Sequence, residues 1–520
     1  MGTRGSGFTT TTFRFVFMSS DTTSLIPAVE DPKISNTGKS IARLHKKLRL
    51  EEPEGRIEAQ LYRNVTIERL YDDVLLEIFD FYIYGTRGYD GWHILVHICR
   101  RWRNVVFASP RRLNLQLVCT QGRPVEKTLD LWPALPIIIQ DDEKRSTRKG
   151  AKNIMAALKC RHRIRQIALR VVPALLSEGF AAVMQKRFPA LKVLTLVLAR
   201  GAPTPIFPPK FLGGYTPRLR AFSAEGISFP ALPRLLLSAR HLVHLSLWDI
   251  PRSGYISPEA MVACLSTLSK LEILGLMFKF PRVRPNRAIR RPAPLTRSVL
   301  PALTTFEFKG VNEYLEYLVA RIDAPLLHKI TITFFNQLIF DNSQLARFLN
   351  CAEEFKAFDH AEIFFSTRTV DVQLSRQTNL KADYRDHARF ELTISCREPE
   401  WQLSSLAQVC NSSLSLFAAL ERLDIHGGSP QRWQDDMESA QWLELLHPFT
   451  TVKDLHLHQK LSLYVMHALQ DLSGQSVTEV LPALQNIFLG SKRPSEPVRK
   501  AIGEFVTARQ LSGHPVAVHR

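Results

Sequence analysis

A short pattern of three apolar residues recurs along most of this 520-residue chain and constrains its fold more than any other feature. In each copy two variable residues separate the first two apolar positions, and one separates the last two. The clear copies are Ile164/Ile167/Leu169, Leu191/Leu194/Leu196, Leu219/Phe222/Ala224, Leu242/Leu245/Leu247, Leu271/Leu274/Leu276, Leu303/Phe306/Phe308, Leu327/Ile330/Ile332, Leu420/Leu423/Ile425, Val452/Leu455/Leu457 and Leu484/Ile487/Leu489, and a weaker copy ends at Leu392/Ile394. The first seven copies begin 23 to 32 residues apart, and the last three begin 32 residues apart. This spacing predicts a stack of similar structural units.

Segments with helical apolar spacing lie between the copies. Ser257-Pro258-Glu259 predicts a helix start, because Ser is a good N-cap and Pro is tolerated at the first helical position. Further helices are expected over residues 343–349, 403–409, 442–446 and 463–472. A short strand and a helix that recur at this spacing resemble the unit of leucine-rich-repeat proteins, which implies a solenoid with parallel strands on one face. The repeats are degenerate and lack the Asn ladder of standard repeats, so an irregular α/β layer is the alternative.

Residues 67–117 have a different pattern, with two blocks of apolar residues at helical spacing. Asp72 and Asp73 are suitable for the first turn of a helix, because carboxylates interact with its free N–H groups and dipole. The first block is Val74, Leu75, Ile78, Phe79 and Tyr82, and the second is Ile94, Leu95, Ile98 and Trp102. Gly85, Gly88 and Gly91 separate the blocks, and Ser109-Pro110 ends the second. Three short helices cannot bury this much apolar surface by themselves, so a partner or the next domain is expected to cover part of it.

The order and spacing of these residues resemble an F-box. The resemblance implies that the segment docks onto the Skp adaptor of cullin–RING ubiquitin ligases. The residues expected to form or support that contact are Leu70, Val74, Leu75, Ile78, Phe79, Leu95, Val96, Cys99 and Trp102. One departure from the family is Tyr71, which stands where Pro is usual. The alternative interpretation is an ordinary helical hairpin that covers the end of a larger core.

Together the two patterns predict an α/β protein with an N-terminal three-helix F-box followed by an irregular leucine-rich-repeat-like solenoid. The expected organisation is a disordered region over residues 1–64, the F-box over 65–118, a linker over 119–150 and a substrate-recognition domain over 151–520. The whole chain also resembles the expanded F-box families of mushroom-forming fungi. The resemblance implies a ligase substrate receptor that binds the Skp adaptor, and through it a cullin, at one end and a protein client at the other.

The formal net charge of +19 is unevenly distributed. Residues 151–350 contain 28 Lys and Arg against 10 Asp and Glu, and part of this excess lies in a Pro-rich, Arg-rich stretch at 282–297. Such a region attracts anions, which indicates a client with an acidic or phosphorylated segment. Residues that alternate with the buried leucines face away from the core, and the client-binding candidates among them are Arg170, Trp248, Lys279 and Lys309. The alternative function is a basic anion- or nucleic-acid-binding scaffold without a ligase role.

No catalytic pattern is present, and the chain is interpreted as a non-enzyme without a cofactor. His456 and His458, near Asp424 and His426, could in principle bind a metal, but surface histidines explain them better, and no metal is expected. Seven dispersed cysteines without a Cys-x-x-Cys pair indicate a reducing compartment, so a cytoplasmic or nuclear location is expected. No apolar run approaches the ~18 residues of a membrane span, and no membrane partner is expected.

Overall fold

The computed structural model describes residues 67–85, 91–122, 125–140, 148–171, 178–280, 297–335, 340, 342–376, 388–396, 400–411, 415–417, 419–427, 439–458, 461–472, 476–490 and 495–519. The chain divides into two compact units, residues 1–75 and 76–520. The segment expected to be disordered, 1–64, lies outside the described residues, as does nearly all of the Arg-rich stretch at 282–297. No helix in the described ranges is long and apolar enough to cross a membrane.

Helices and strands alternate along most of the described chain. The α-helices are α1 Asp72–Gly85, α2 Gly91–Ile98, α3 Arg100–Ala108, α4 Val125–Leu131, α5 Arg148–Lys159, α6 Glu178–Met184, α7 Leu232–Ser238, α8 Pro258–Leu265, α9 Asn312–Val319, α10 Ser343–Asn350, α11 Glu400–Asn411, α12 Ser439–Leu446, α13 Ser462–Gln470, α14 Ser476–Glu479 and α15 Glu496–Leu511. The strands are β1 Leu117–Cys119, β2 Ile137–Gln140, β3 Ile164–Val171, β4 Val193–Leu198, β5 Ala221–Glu225, β6 His244–Ile250, β7 Ile273–Phe278, β8 Ser298–Val299, β9 Thr305–Gly310, β10 Ile322–Asp323, β11 Lys329–Phe334, β12 His360–Phe365, β13 Thr369–Ser375, β14 Arg389–Ser395, β15 Arg422–Gly427, β16 Asp454–Leu457, β17 Asn486–Leu489 and β18 Ala517–His519.

One long sheet runs through the second unit. Its strand order is β1-β2-β3-β4-β5-β6-β7-β9-β11-β14-β13-β12-β15-β16-β17-β18, and β8 and β10 form a separate parallel pair. Side chains alternate along each strand: in β9, Phe306 and Phe308 are buried, whereas Glu307 and Lys309 point to the other side and are only half-buried. The predicted repeats are therefore present as strands of a mixed α/β fold with a mostly parallel sheet.

The helices that connect these strands pack beside one another as a layer. Contacts join α4 to α5, α5 to α6, α7 to α8, α8 to α9, α9 to α10, α11 to α12, α12 to α13 and α13 to α15. Right-handed crossovers between parallel neighbours place successive helices on the same face of a sheet, which explains the single layer. The buried side chains of the strands face this layer. We call the opposite side of the sheet the open face.

Local sequence signals set the helix boundaries as expected. The prediction of a helix start at Ser257 is confirmed: its hydroxyl accepts a hydrogen bond from the Ala260 N–H at 3.3 Å, and Pro258 is the first residue of α8. The helices expected near residues 343, 403, 442 and 463 are α10, α11, α12 and α13. The start of α8 thus follows from its cap, the positions of the other four helices follow from apolar spacing, and packing in the helix layer provides most of their stability.

The prediction of parallel strands is wrong for β13, which runs antiparallel to both β12 and β14. Only residues 366–368 join β12 to β13, and a crossover between parallel strands requires about a dozen residues or more. Ser366 holds the turn, because its N–H donates to the Thr369 carbonyl at 2.9 Å and its hydroxyl accepts from the Thr369 N–H at 3.1 Å. An antiparallel hairpin is thereby inserted between two repeats.

The segment expected to be a linker, 119–150, contains regular structure where it is described. Helix α4 and strand β2 fall within it, and β2 pairs with both β1 and β3. Trp132, which follows α4, lies against the N-terminal helices: its ring centroid is 5.2 Å from that of Trp92 and 6.1 Å from that of Phe107. The Trp92 indole N–H also donates to the Gln116 carbonyl at 3.0 Å. Within the second unit, α2 and α3 are thus packed against the start of the repeats.

A fully buried arginine stabilises the last repeat. The Arg509 guanidinium on α15 donates to the carbonyls of Val477, Leu481 and Leu484 at 3.0, 3.2 and 3.3 Å. Burial lowers the pKa of Arg509 below its ordinary value. The cation is held by the peptide dipoles of three carbonyls at the end of the helix layer.

Candidate interaction surfaces

The nine residues expected at a Skp-adaptor contact fall into two groups by burial. Leu75, Phe79, Leu95 and Val96 are buried, and the Phe79 ring lies 4.7 Å from that of Trp102. Val74, Ile78 and Cys99 are exposed, whereas Leu70 and Trp102 are half-buried. The buried residues can therefore only support a docking surface from inside, and a partner would contact the exposed ones.

Additional large apolar side chains are exposed on the same helices. On α1, Ile78, Phe81 and Tyr82 follow helical spacing, and Phe81 is 83% exposed. On α2, Ile94 and Ile98 are one turn apart, and both are more than half exposed. Exposed apolar side chains at helical spacing are typical of interaction sites. The sequence pattern indicated this surface but could not separate its exposed residues from its buried ones.

The cap that starts α3 fixes the angle between α2 and α3. The Cys99 sulfur is a weak N-cap acceptor, with the Trp102 backbone nitrogen 3.4 Å from Sγ. Arg103 donates from Nε to the Val96 carbonyl at 2.9 Å and so satisfies one acceptor at the end of α2. These local bonds hold Ile98 at the exposed end of α2, beside the start of α3.

The client-binding candidates all lie on the open face or at its border. Arg170 is exposed near the end of β3, and Lys309 is half-buried on β9, beside Met277 of β7. Trp248 is half-buried, and its indole N–H donates to the Ser246 hydroxyl on the same strand. Lys279 is exposed just beyond β7, and the aromatic ring beside it is that of Phe280.

Two of these lysines border a shallow apolar depression where β6, β7, β9 and β11 end. Its lining includes Arg252, Tyr255, Phe278, Phe280, Tyr314 and Phe335, and we call it the aromatic depression. Cations lie over its rim: Lys279 Nζ is 5.6 Å and Arg252 Cζ 5.7 Å from the Phe280 ring centroid, and Lys309 Nζ is 5.9 Å from that of Phe335. Such a site suits an apolar side chain flanked by negative charge.

Further along the open face, histidines and carboxylates from β12, β15 and β16 form a network around Asp424. Arg422 donates from Nε and Nη2 to the two Asp424 oxygens at 2.9 Å each, and His360 Nε2 lies 3.1 Å from Oδ2. Burial alone would raise the pKa of the Asp424 carboxyl, but the bonds from His360 and Arg422 and the nearby His456 lower it well below its ordinary value. The carboxylate is therefore ionised wherever the protein is folded near neutral pH.

Aromatic rings continue the open face to its last strands. The Phe488 ring on β17 stacks between His456 on β16, with centroids 4.2 Å apart, and His519 on β18, at 4.6 Å. Burial lowers the pKa of His456, an effect that Asp424 opposes and Arg422 reinforces. His456 and His458 do not converge: His456 faces Asp424, whereas His458 lies 5.8 Å from the His426 ring. In the described ranges no three metal-binding side chains form a group that could hold an ion.

No protein-family model matches the chain, and no curated protein matches it. A solved structure with some similarity is the crystal structure of the leucine-rich repeat-containing protein LegL7 from Legionella pneumophila. It is 11% identical, the match covers 75% of this chain and 97% of that chain, and the TM-score is 0.22. That TM-score is too low to carry an argument. The repeat architecture rests on the strand order and the alternating burial described above.

Proposed function

We propose that the chain is a substrate-receptor subunit of a Skp–cullin–F-box ubiquitin ligase. The observation that carries the proposal is the exposed apolar surface of α1 and α2, in a segment whose sequence resembles an F-box. Ile78, Phe81, Ile94 and Ile98 would contact the Skp adaptor, supported from inside by Phe79, Leu95 and Val96. A repeat-based protein-interaction scaffold provides the other half of the function, because an open sheet face presents many side chains to a protein partner.

The client side of the proposal rests on the aromatic depression and its cations. A client segment would place an apolar side chain against Phe280 and Phe335 and acidic or phosphorylated residues beside Arg252, Lys279 and Lys309. Phosphate suits this role because it adds up to about two negative charges and several strong acceptors. Arg170 and Trp248 would extend the contact along the open face.

Binding to a purified Skp adaptor tests the ligase assignment. The full chain should form a complex that persists at high salt, because the contact is apolar, whereas a purely anion-binding scaffold would not bind the adaptor at all. Changing Ile94→Asp and Ile98→Asp together should abolish the complex. A matched control is Ile206→Asp with Leu326→Asp, which places the same charges at exposed apolar residues elsewhere in the second unit. Retention of full binding by a folded Ile94/Ile98 double variant would refute the assignment.

Charge reversal tests the client site independently. Lys279→Glu with Lys309→Glu should abolish capture of the client while Skp-adaptor binding persists. Binding should also weaken between about 50 and 200 mM salt, where the screening of exposed charges changes appreciably. Client binding that is insensitive to both changes would exclude the electrostatic part of the proposal.

A further inference from the structure

Cationic side chains line up where β3, β4 and β5 begin. The backbone ladder continues one residue before β4 and β5: the Lys192 N–H donates to the Arg165 carbonyl at 2.7 Å, and the Arg220 N–H donates to the Lys192 carbonyl at 2.7 Å. Arg165, Lys192 and Arg220 therefore occupy neighbouring strands at a spacing of about 4.8 Å. Lys192 and Arg220 are exposed, and so is Arg218, two residues before Arg220.

These cations repel one another. Burial lowers the pKa of Lys192, and the charges of Arg165, Arg220 and Arg218 lower it further; no carboxylate is among the charges that act on it. The sequence explains this imbalance, since residues 161–248 contain 13 Lys and Arg but only Glu178 and Glu225 as acids, a net charge of +11. A cluster of like charges costs free energy in the free protein, and an anionic ligand would relieve that cost.

An exposed tyrosine lies in an open depression on the same edge of the sheet. The depression is lined by Tyr215, Pro217, Arg234, Leu237, Arg240 and His241. The turn that carries Tyr215 is fixed, because the Thr216 N–H donates to the Ser238 hydroxyl at the end of α7 at 3.0 Å, and Gly213 and Gly214 adopt positive φ values. Tyr215 remains 52% exposed. We call this depression together with Arg165, Lys192, Arg218 and Arg220 the basic edge.

We propose that the basic edge binds single-stranded nucleic acid, with phosphates held by the cations and a base stacked on Tyr215. Arginine predominates in the cluster, and its planar guanidinium matches a phosphate with two parallel hydrogen bonds. A positive groove with an exposed aromatic ring is the combination that single-strand binders use. An acidic protein would be attracted by the charge but would gain little from a rigid, exposed ring. This activity is independent of the proposed ligase role.

The test uses a fluorescein-labelled 12-nucleotide oligo(U), with binding to the full chain followed by fluorescence anisotropy from 50 to 200 mM salt. Arg218→Gln with Arg220→Gln should weaken binding at least about 10-fold and reduce the slope of log affinity against log salt by about 1.4, or ~0.7 for each lost phosphate contact. The matched control, Arg389→Gln with Arg499→Gln, removes two exposed arginines elsewhere and should leave the affinity within about twofold. Tyr215→Ala should weaken binding about 5- to 100-fold with an unchanged salt slope.

Three outcomes would overturn the proposal. The first is no binding of oligo(U) at 50 mM salt. The second is an equal loss in the Arg389/Arg499 control, which would show a diffuse charge effect. The third is that a polyglutamate of matched charge binds as tightly as oligo(U) and that Tyr215→Ala changes the affinity for neither. That result would mean that the basic edge binds an acidic protein. Circular dichroism of each variant, together with Skp-adaptor binding, establishes that the fold persists.

Discussion

Replacing Asp424 with Asn should destabilise the repeats around β15 by about 2–3 kcal/mol. The change keeps the size of the side chain but removes its charge and one acceptor oxygen. Arg422 then loses one of its two bonds, and its guanidinium faces an amide N–H₂ group that cannot accept. His360 competes for the remaining oxygen.

The magnitude follows from the contacts. A hydrogen bond to a charged group contributes about 1.5–3 kcal/mol to stability, against about 0.5–1.5 kcal/mol for a neutral one. In the variant, the three hydrogen bonds to Asp424 are lost or weakened together. Removing one partner of a fully buried pair costs about 3–5 kcal/mol, but Arg422 is 30% exposed and can regain water, which lowers the cost. The neutral Asn side chain also avoids the desolvation cost of burying a carboxylate, which offsets a further part of the lost stability. About 2–3 kcal/mol remains.

Amide hydrogen exchange measures the loss of stability separately for each strand. Protection should fall in β12, β15 and β16, whose backbones pair in register around Asp424, and change little in β4 and β5. The matched control is Asp454→Asn on the adjacent strand, where the carboxylate accepts one bond from the Asn486 amide at 2.8 Å, so a loss of about 0.5–1 kcal/mol is expected. Equal losses for the two variants, or unchanged protection in β15, would refute the reasoning.

Three further predictions concern other parts of the chain. Phe81→Ala should weaken Skp-adaptor binding by about 2–4 kcal/mol, roughly 30- to 1000-fold in Kd, whereas Phe364→Ala, also an exposed Phe, should leave it unchanged; titration calorimetry of both variants decides this. Arg509→Met should destabilise the C-terminal repeat by about 3 kcal/mol, measured as lost amide protection in β17 and β18, because three carbonyls each lose a hydrogen bond from the buried guanidinium. Because the Asp424 carboxyl has a depressed pKa in the folded protein, its stabilisation is present above the unfolded value of about 3.9 and is lost as pH falls from there toward the lower folded pKa. The difference between the urea midpoints of the parent and Asp424→Asn should therefore begin to shrink below about pH 4.

The sequence predicted the repeats well because one physical constraint recurs in every copy. The strand residues of each copy must be buried against the helix layer, so the apolar spacing marks most strands from β3 onward. Strand β13 was missed because Thr367 stands where the pattern has its leading apolar residue. Strand β12 does carry the pattern, as Phe358/Ala361/Ile363, but the small Ala361 makes this copy weak. Their alternation, Ala361/Ile363/Phe365 and Val370/Val372/Leu374, is a strand signal in its own right and could have revealed them.

Surfaces were harder to predict than strands. Alternation shows which side chains face away from the core, but not which of them become neighbours. His360 and Asp424 are 64 residues apart in sequence and meet only because β12 returns beside β15. The basic edge did leave a signal: Arg165, Lys192 and Arg220 each stand two residues before the second apolar residue of their copy. Recognising this signal requires knowing that the position lies at the start of a strand, beside the same position of the neighbouring repeats.

The direction of the strands also explains why one basic region can serve two ligands. In a parallel sheet all strand starts lie along one edge and all strand ends along the other. Lys192 and Arg220 immediately precede their strands and Arg165 is the second residue of β3, whereas Lys279 and Phe280 follow β7. A strand of about six residues therefore separates the two sites by about 20 Å. This distance exceeds the Debye length of about 8 Å at physiological salt, and charge changes at one edge should therefore leave binding at the other nearly unaffected. In the sequence, both sites fall within one basic stretch of 200 residues, 151–350. The parallel topology divides its charge between two places, an edge suited to a phosphate backbone and a depression suited to an acidic peptide.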